Sequence, residues 1–206
     1  TSNTLNRNQL INNVSNDLQE KFGLAEDQFR ITGLAVLYNN MLQSLFDSQI
    51  KSLGIVFGVI LLMFLVIFRS IKVAVIGLIP NILTASSVLG LLGILSIPLD
   101  IMTITVAAIS VGMAVDNTIH YLYRYKVEIS NGVAPSDAIL KSHTTIGRAI
   151  LYTALTISIG FLIFSFSNFS PTVLFGTFTS LAIFTSLVAT LILLPLLLQS
   201  FKAFDS

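Results

Sequence analysis

A stretch of 53 residues, from 149 to 201, contains no Asp, Glu, Lys or Arg. A soluble domain keeps charged side chains on its surface, and about a quarter of an average sequence is charged. In this chain only 10% of the residues are charged and 54% are hydrophobic, and the mean hydropathy is +0.86. The composition predicts a mainly α, polytopic transmembrane helical bundle, in which each span needs about 20 largely apolar residues.

Five apolar runs have the length of a membrane span. We predict these spans at about residues 52–68, 73–95, 101–121, 149–166 and 172–198. The second run contains Pro80-Asn81, which predicts a kink or a carbonyl group freed from its helical hydrogen bond. Pro171 suits the first turn of the last helix.

The first 51 residues are more polar and hold nine of the 21 formal charges. Helical spacing of apolar residues predicts a helix over residues 8–22, and alternation predicts a strand over residues 29–37. We therefore expect residues 1–48 to be the end of an extracytoplasmic α/β domain, residues 49–200 to be the membrane domain, and residues 201–206 to be a cytoplasmic tail.

Basic residues lie at one end of the predicted spans. Lys and Arg occur in the connection after the first span and in the connection after the third, whereas residues 96–100 and 167–171 contain neither. The positive-inside rule places the basic connections and the C-terminus in the cytoplasm and the N-terminal head outside. Between the third and fourth spans, Pro135 begins a predicted short amphipathic helix along the inner membrane surface.

Asp116 is the only acidic residue inside any predicted span. A carboxylate in the hydrocarbon core costs roughly 2.5–3.5 kcal/mol on insertion scales, and such residues usually face the protein interior and move protons or ions. The sequence therefore predicts that Asp116 is desolvated and binds and releases a proton. One helical face would carry Thr105, Ile109, Gly112, Asp116, His120 and Tyr123. On that face Gly112 would let a neighbouring helix come close.

Four residues around the start of the fourth span are candidate polar partners of Asp116: Thr145, Arg148, Tyr152 and Thr156. The sequence leaves open whether they meet it. Asn117 and His120 are candidate members of a proton relay, although Asn117 can hydrogen-bond but cannot titrate.

Structural alternatives stay open for these residues. Asp116 could be a carboxylate paired with Arg148 or with helix backbone, Asn117 a packing partner, and His120 a solvated interfacial residue. The three tyrosines that follow are predicted to form an aromatic belt at the membrane surface: Tyr121, Tyr123 and Tyr125.

Several kinds of site are not expected. The chain has no cysteine and only two histidines, so the sequence predicts neither disulfides nor a metal centre. It has no Ser/His/Asp arrangement and no phosphate-binding loop, so we do not expect an enzyme. A net charge of +1 gives no reason to expect nucleic acid as a partner.

Four short motifs follow one another along the chain. They are Phe-Arg-Ser at 68–70, Pro-Asn at 80–81, Ile-Pro-Leu-Asp at 97–100, and GMAVDNTIHYLYRY at 112–125. In this order and at these intervals they resemble the resistance-nodulation-division (RND) superfamily, and within it the MMPL-like exporters, which share a membrane fold with Patched and the sterol-sensing domains. The resemblance covers the chain from residue 31 to residue 195.

The resemblance implies a larger protein, with twelve spans in two six-span repeats and this chain as its C-terminal portion. It implies that proton influx drives the export of lipids or other hydrophobic molecules, with the proton gradient in place of a cofactor and Asp116 at the position of the relay carboxylate. The implied partners are membrane lipids, the substrate and the rest of the same chain, in the inner (plasma) membrane of a bacterium. The alternative is a sterol- or lipid-sensing domain that regulates without transport.

Overall fold

Every regular element in the described part of the chain is helical. The computed structural model describes residues 7–23, 25, 31, 33–97 and 101–204. The chain divides into two compact units, Thr1–Lys51 and Ser52–Ser206. Five helical stretches are long and apolar enough to cross a membrane, so the predicted mainly α, five-span bundle is confirmed.

The first unit begins with helix α1, Arg7–Phe22, where the apolar spacing predicts a helix. It ends at Gly23, whose φ of +64° lies in the left-handed region that glycine adopts without a steric penalty. The Gly23 N–H donates to the Gln19 carbonyl at 3.1 Å, which closes the last turn.

The predicted strand over residues 29–37 is wrong over its described second half. Helix α2 runs without interruption over Leu34–Phe68, so residues 34–37 are helical, and Gly33 precedes them with a φ of +141°. Residues 29, 30 and 32 lie outside the described residues. The alternation was a weak signal because a strand needs a pairing partner, whereas Leu and Ala after Gly33 favour a helix.

The remaining helices are α3 (Ile71–Ile94), α4 (Ile101–Ser130), α5 (Pro135–Ser142), α6 (Arg148–Leu162), α7 (Ser170–Val188) and α8 (Leu194–Ser200). The five stretches that could cross a membrane are Ser48–Phe68, Ile71–Ile94, Met102–Ser130, Pro135–Phe166 and Ser170–Ser200. α3 continues through Pro80.

Two π-helical turns join pairs of helices into longer ones. The first π turn, His143–Gly147, joins α5 to α6, and the second, Ala189–Leu193, joins α7 to α8. The amphipathic helix predicted at Pro135 therefore begins there but does not end before the span, because no proline or glycine interrupts residues 136–146. Pro195 explains the second π turn, since a proline ring clashes with the carbonyl group four residues earlier and widens the helix.

α3, α4 and α7 pack against one another, and α6 packs against α7. Near the connection between α3 and α4, one apolar cluster contains Val88, Leu92 and Val106 together with Phe178 and Ala182 of α7. A larger cluster fills the basic end of the bundle. Because the end of α3 meets the beginning of α4, these two helices run antiparallel.

The close helix contacts are made at glycines that the sequence does not distinguish. A Cβ atom at Gly77 would lie 2.8 Å from Leu122 Cδ1, and one at Gly176 would lie 2.6 Å from Phe164 Cβ. At Gly112, by contrast, no described atom comes within 4 Å of such a Cβ. The close approach predicted at Gly112 is therefore not made by any described helix.

The residues after α8 pack onto the basic end of the bundle. The Lys72 ammonium group donates to the Lys202 carbonyl at 3.3 Å, Ala203 is buried, and the rings of Tyr125 and Phe204 meet with centroids 5.6 Å apart. These contacts hold residues 201–204 against α3 and α4.

Candidate functional site

One exposed face of α4 carries mostly small and polar side chains, after the exposed Met102 at its beginning. It consists of Thr105, Gly112, Asp116, His120 and Tyr123, which we call the α4 stripe. These are five of the six residues predicted to share a face, and the sixth, Ile109, is half-buried. Spacings of three and four residues place them in one line along the helix.

Asp116 pairs with His120 on this stripe. The distance from His120 Nε2 to Asp116 Oδ1 is 3.4 Å, and 71% of the Asp116 side chain and 59% of the His120 side chain are exposed. The described residues therefore do not desolvate Asp116 as predicted, because α3 and α7 pack against other sides of α4. The carboxylate projects from the side of α4 that faces away from α3 and α7, at mid-span, eight residues or about 12 Å before Arg124.

The four candidate partners are not brought to Asp116. Thr145, Arg148, Tyr152 and Thr156 are all exposed, and no hydrogen bond or ion pair joins any of them to Asp116 in the described ranges. The Thr145 hydroxyl donates instead to the Lys141 carbonyl at 2.7 Å. The predicted role of these four residues stays a prediction.

Asn117 points into the bundle, to another side of α4 than Asp116. Only 6% of it is exposed, and its side-chain amide donates to Ser186 Oγ of α7 at 3.5 Å. This contact joins α4 to α7 and gives Asn117 a packing role, while its part in a relay stays a prediction.

The predicted aromatic belt is wrong for two of its three tyrosines. Tyr123 is exposed, but Tyr121 and Tyr125 are buried. The Tyr121 hydroxyl lies 3.4 Å from His143 Nδ1, with ring centroids 5.5 Å apart. Tyr121 therefore faces the first π turn and Tyr125 faces Phe204, which follows α8, rather than the membrane surface.

Sequence reasoning missed Glu128, a buried carboxylate at the basic end. Its side chain is 8% exposed and forms ion pairs with Arg124 Nη2 and, at 3.5 Å, with Lys141 Nζ. The i,i+4 spacing of Arg124 and Glu128 was the available signal. The cluster ties α4 to α5, and removing one partner would leave a buried charge uncompensated.

Within the described ranges no group of three His, Cys, Asp or Glu side chains is placed to hold a metal ion. The chemistry available on the α4 stripe is therefore that of a carboxylate and an imidazole one helical turn apart.

Comparison with known proteins decides the family. The model of the MMPL family matches residues 3–204. The chain belongs to the MMPL family. This agrees with the RND and MMPL resemblance carried by the motifs around Asp116, and together with the five apolar helices it identifies the chain as an integral, multi-pass membrane protein of the MMPL family.

Three relatives are longer than this chain, which aligns with only part of each of them. It is 29% identical over 139 residues to the membrane protein MJ1562 of Methanocaldococcus jannaschii, which covers 68% of this chain and 36% of the relative. It is 24% identical over 212 aligned positions to the "Probable transport protein MmpL11" of Mycobacterium leprae, an alignment that covers 95% of this chain and 20% of the relative. It is 28% identical over 148 residues to the membrane protein YdgH of Bacillus subtilis, which covers 68% of this chain and 16% of the relative. The chain thus spans between 16% and 36% of the length of these MMPL relatives.

Proposed function

We propose that this chain is part of a proton-driven transporter that exports lipids or other hydrophobic molecules, and that Asp116 is its proton-binding carboxylate. The observation that supports this most is the position of Asp116 in the middle of a membrane span on an exposed stripe of small and polar side chains. Transport as the general activity also fits the name of the Mycobacterium leprae relative. Catalysis by the chain has no such support.

The α4 stripe is unsuited to lipid. An ionisable side chain facing acyl chains is costly, and such residues face protein or a water-filled cavity instead. We propose that another part of the same transporter covers the stripe, and that Asp116 lies at that interface. A carboxylate between two moving parts can take a proton from one side and release it to the other when the parts rearrange.

His120 lies one turn closer to the basic end than Asp116 and contacts it at 3.4 Å. If that end faces the cytoplasm, as the positive-inside rule requires, His120 is placed to pass protons between Asp116 and the cytoplasm. An imidazole suits this step because it gains and loses a proton near neutral pH. Asn117 contributes packing and not titration.

The energy source in this proposal is the proton gradient, without a further cofactor. The partners are the membrane lipids, the hydrophobic substrate and the remainder of the transporter chain, in the inner membrane of a bacterium. Because part of a transporter does not supply both sides of the interface, residues 1–206 alone are not expected to transport.

The test is gradient-driven transport by the full-length parent in liposomes, with a panel of lipids and hydrophobic drugs as substrates. We expect Asp116→Asn to fold, insert and lose gradient-driven transport by at least about 100-fold, the lower bound for losing a proton-transfer group. Asp137→Asn is the matched control, because Asp137 is an exposed carboxylate in the first turn of α5. It should transport as well as the wild type.

Unchanged transport in Asp116→Asn would refute the relay assignment. A parent that binds sterol or lipid and changes a partner's activity, yet moves no substrate under a gradient, would replace the transporter proposal with the sensing alternative.

A further inference from the structure

Hydroxyl groups inside these helices can satisfy their hydrogen bonds locally. The usual acceptor is the carbonyl group four residues earlier in the same helix. Thr84 donates to the Pro80 carbonyl at 2.9 Å, and Thr185 donates to the Leu181 carbonyl at 2.9 Å. Such a bond leaves no polar atom unpaired in the apolar interior.

Five buried side-chain atoms in the described part of the chain depart from this pattern: Thr179 Oγ1 in α7, Arg124 Nε in α4, and three more on elements that contact one another. Thr118 Oγ1 in α4, Thr190 Oγ1 in the second π turn and Asn81 Oδ1 in α3 have no hydrogen-bond partner in the part of the chain that the structure describes. All three residues have 0% exposure. The Asn81 amide nitrogen is satisfied by the Gly77 carbonyl at 2.7 Å, so only its oxygen is left.

The three atoms lie within about one helical turn of the same level. Gly77 of α3 packs against Leu122 of α4. Asn81 lies four residues after Gly77, and Thr118 lies four residues before Leu122. Because α3 and α4 are antiparallel, both residues lie about 6 Å from that contact in the same direction. The second π turn contacts both α3 and α4. It begins three residues after Ser186, which Asn117 fixes against α4.

Two prolines add backbone acceptors at this level. Pro80 has no N–H, so the Ile76 carbonyl loses its donor within α3. In the second π turn the Leu194 N–H donates to the Ala189 carbonyl. By the same five-residue spacing, the Thr190 carbonyl would accept from the N–H of residue 195. That residue is Pro195, which has no N–H, so the Thr190 carbonyl also loses its partner within its own helix.

We propose that these groups form an internal hydration site, in which one or more water molecules bridge α3, α4 and the second π turn. A buried water needs two to four polar partners, and here hydroxyl groups supply donors while Asn81 Oδ1 and the freed carbonyl groups supply acceptors. The site lies on the packed side of α4, away from the Asp116 carboxylate, and it does not depend on the transport proposal.

The test combines a density map with thermal unfolding of the full-length parent. A map at better than about 2.5 Å resolution should show a water peak within hydrogen-bond distance, about 3.2 Å, of Thr118 Oγ1 and of Thr190 Oγ1 or Asn81 Oδ1. Thr118→Val and Thr190→Val should each lower Tm by about 2–4 °C. The double variant should lose less than the sum, because both hydroxyl groups bind the same water.

Thr84→Val is the matched control, since its hydroxyl group is satisfied within α3. Its effect should add to that of Thr190→Val without coupling. A rise in Tm for Thr118→Val and Thr190→Val would overturn the proposal, because it would mean that the hydroxyl groups are unsatisfied in the native protein. A map with no peak at this position overturns it even if the variants do not fold. Oxygen distances near 2.4 Å, with a Tm that depends on Na⁺, would replace the water with a cation.

Discussion

Two helices of this chain expose a stripe of side chains along the membrane, and the two stripes differ in chemistry. On α2 the exposed residues Ile55, Val59, Leu62 and Val66 are all aliphatic. The α4 stripe has no large aliphatic side chain and carries Asp116. If exposure were the only criterion, both surfaces would be expected to face lipid. Because acyl chains accept aliphatic groups but not a carboxylate, the α2 stripe suits lipid and the α4 stripe suits protein or water.

Two glycines offer the strongest test of this difference. Gly112 on the α4 stripe and Gly58 on α2 are both exposed, with no described atom within 4 Å of a Cβ at either position. We expect Gly112→Leu to reduce transport by the full-length parent by more than about 10-fold, since a bulky side chain would separate two closely packed surfaces. Gly58→Leu should stay within about twofold of the wild type, because lipid can move aside. Equal effects of the two substitutions would contradict the comparison.

A second pair of substitutions examines α2 by itself. Phe64 is buried against Gly77, whereas Leu62 is exposed. We expect Phe64→Ala to lower the free energy of unfolding by about 3 kcal/mol through the cavity that it leaves. Leu62→Ala should cost less than about 1 kcal/mol, because acyl chains replace the lost contacts. Unfolding of the parent in mixed micelles measures both values. A large loss for Leu62→Ala would mean that protein covers the α2 stripe as well.

The smallest expected effect concerns His120. We expect His120→Gln to slow gradient-driven transport by roughly two- to fivefold, because water can replace an exposed imidazole as the proton donor and acceptor beside Asp116. The rate as a function of cytoplasmic pH, compared with the wild type, provides the measurement. A loss as large as that of Asp116→Asn would make the imidazole an obligatory part of the relay.

Much of the fold follows from patterns that the sequence states directly. Apolar runs of sufficient length predict five spans, and a single carboxylate within them predicts Asp116 as the residue to examine. The helical period then places His120 and Gly112 beside it. The five spans and the shared face are found in the structure because each depends on local composition or on spacing along one helix, whereas the role of Asp116 stays a prediction.

What the sequence does not predict depends on contacts between helices. Gly77 and Gly176 permit close approach while Gly112 is open, and nothing local separates these glycines. Tyr121 and Tyr125 have the pattern of interfacial residues, but in the structure His143 and Phe204 pack against them. The alternation that predicts a strand fails over residues 34–37 because helix propensity and continuation into α2 outweigh a pattern with no pairing strand in the described residues.

The two π turns determine which insertions and deletions the chain tolerates. Each holds one residue more than an α-helical turn would need. Deleting one residue within the second π turn would restore a regular helix and leave the residues after it close to their present orientation. Deleting one residue from the regular part of α7 would instead rotate the residues after the gap by about 100°, and the buried Leu194 and Leu198 would leave the core. A one-residue gap in the regular part of α7 should therefore be far more damaging than one in the second π turn or in the connection at residues 131–134, and gaps between this chain and its relatives should collect at those two places.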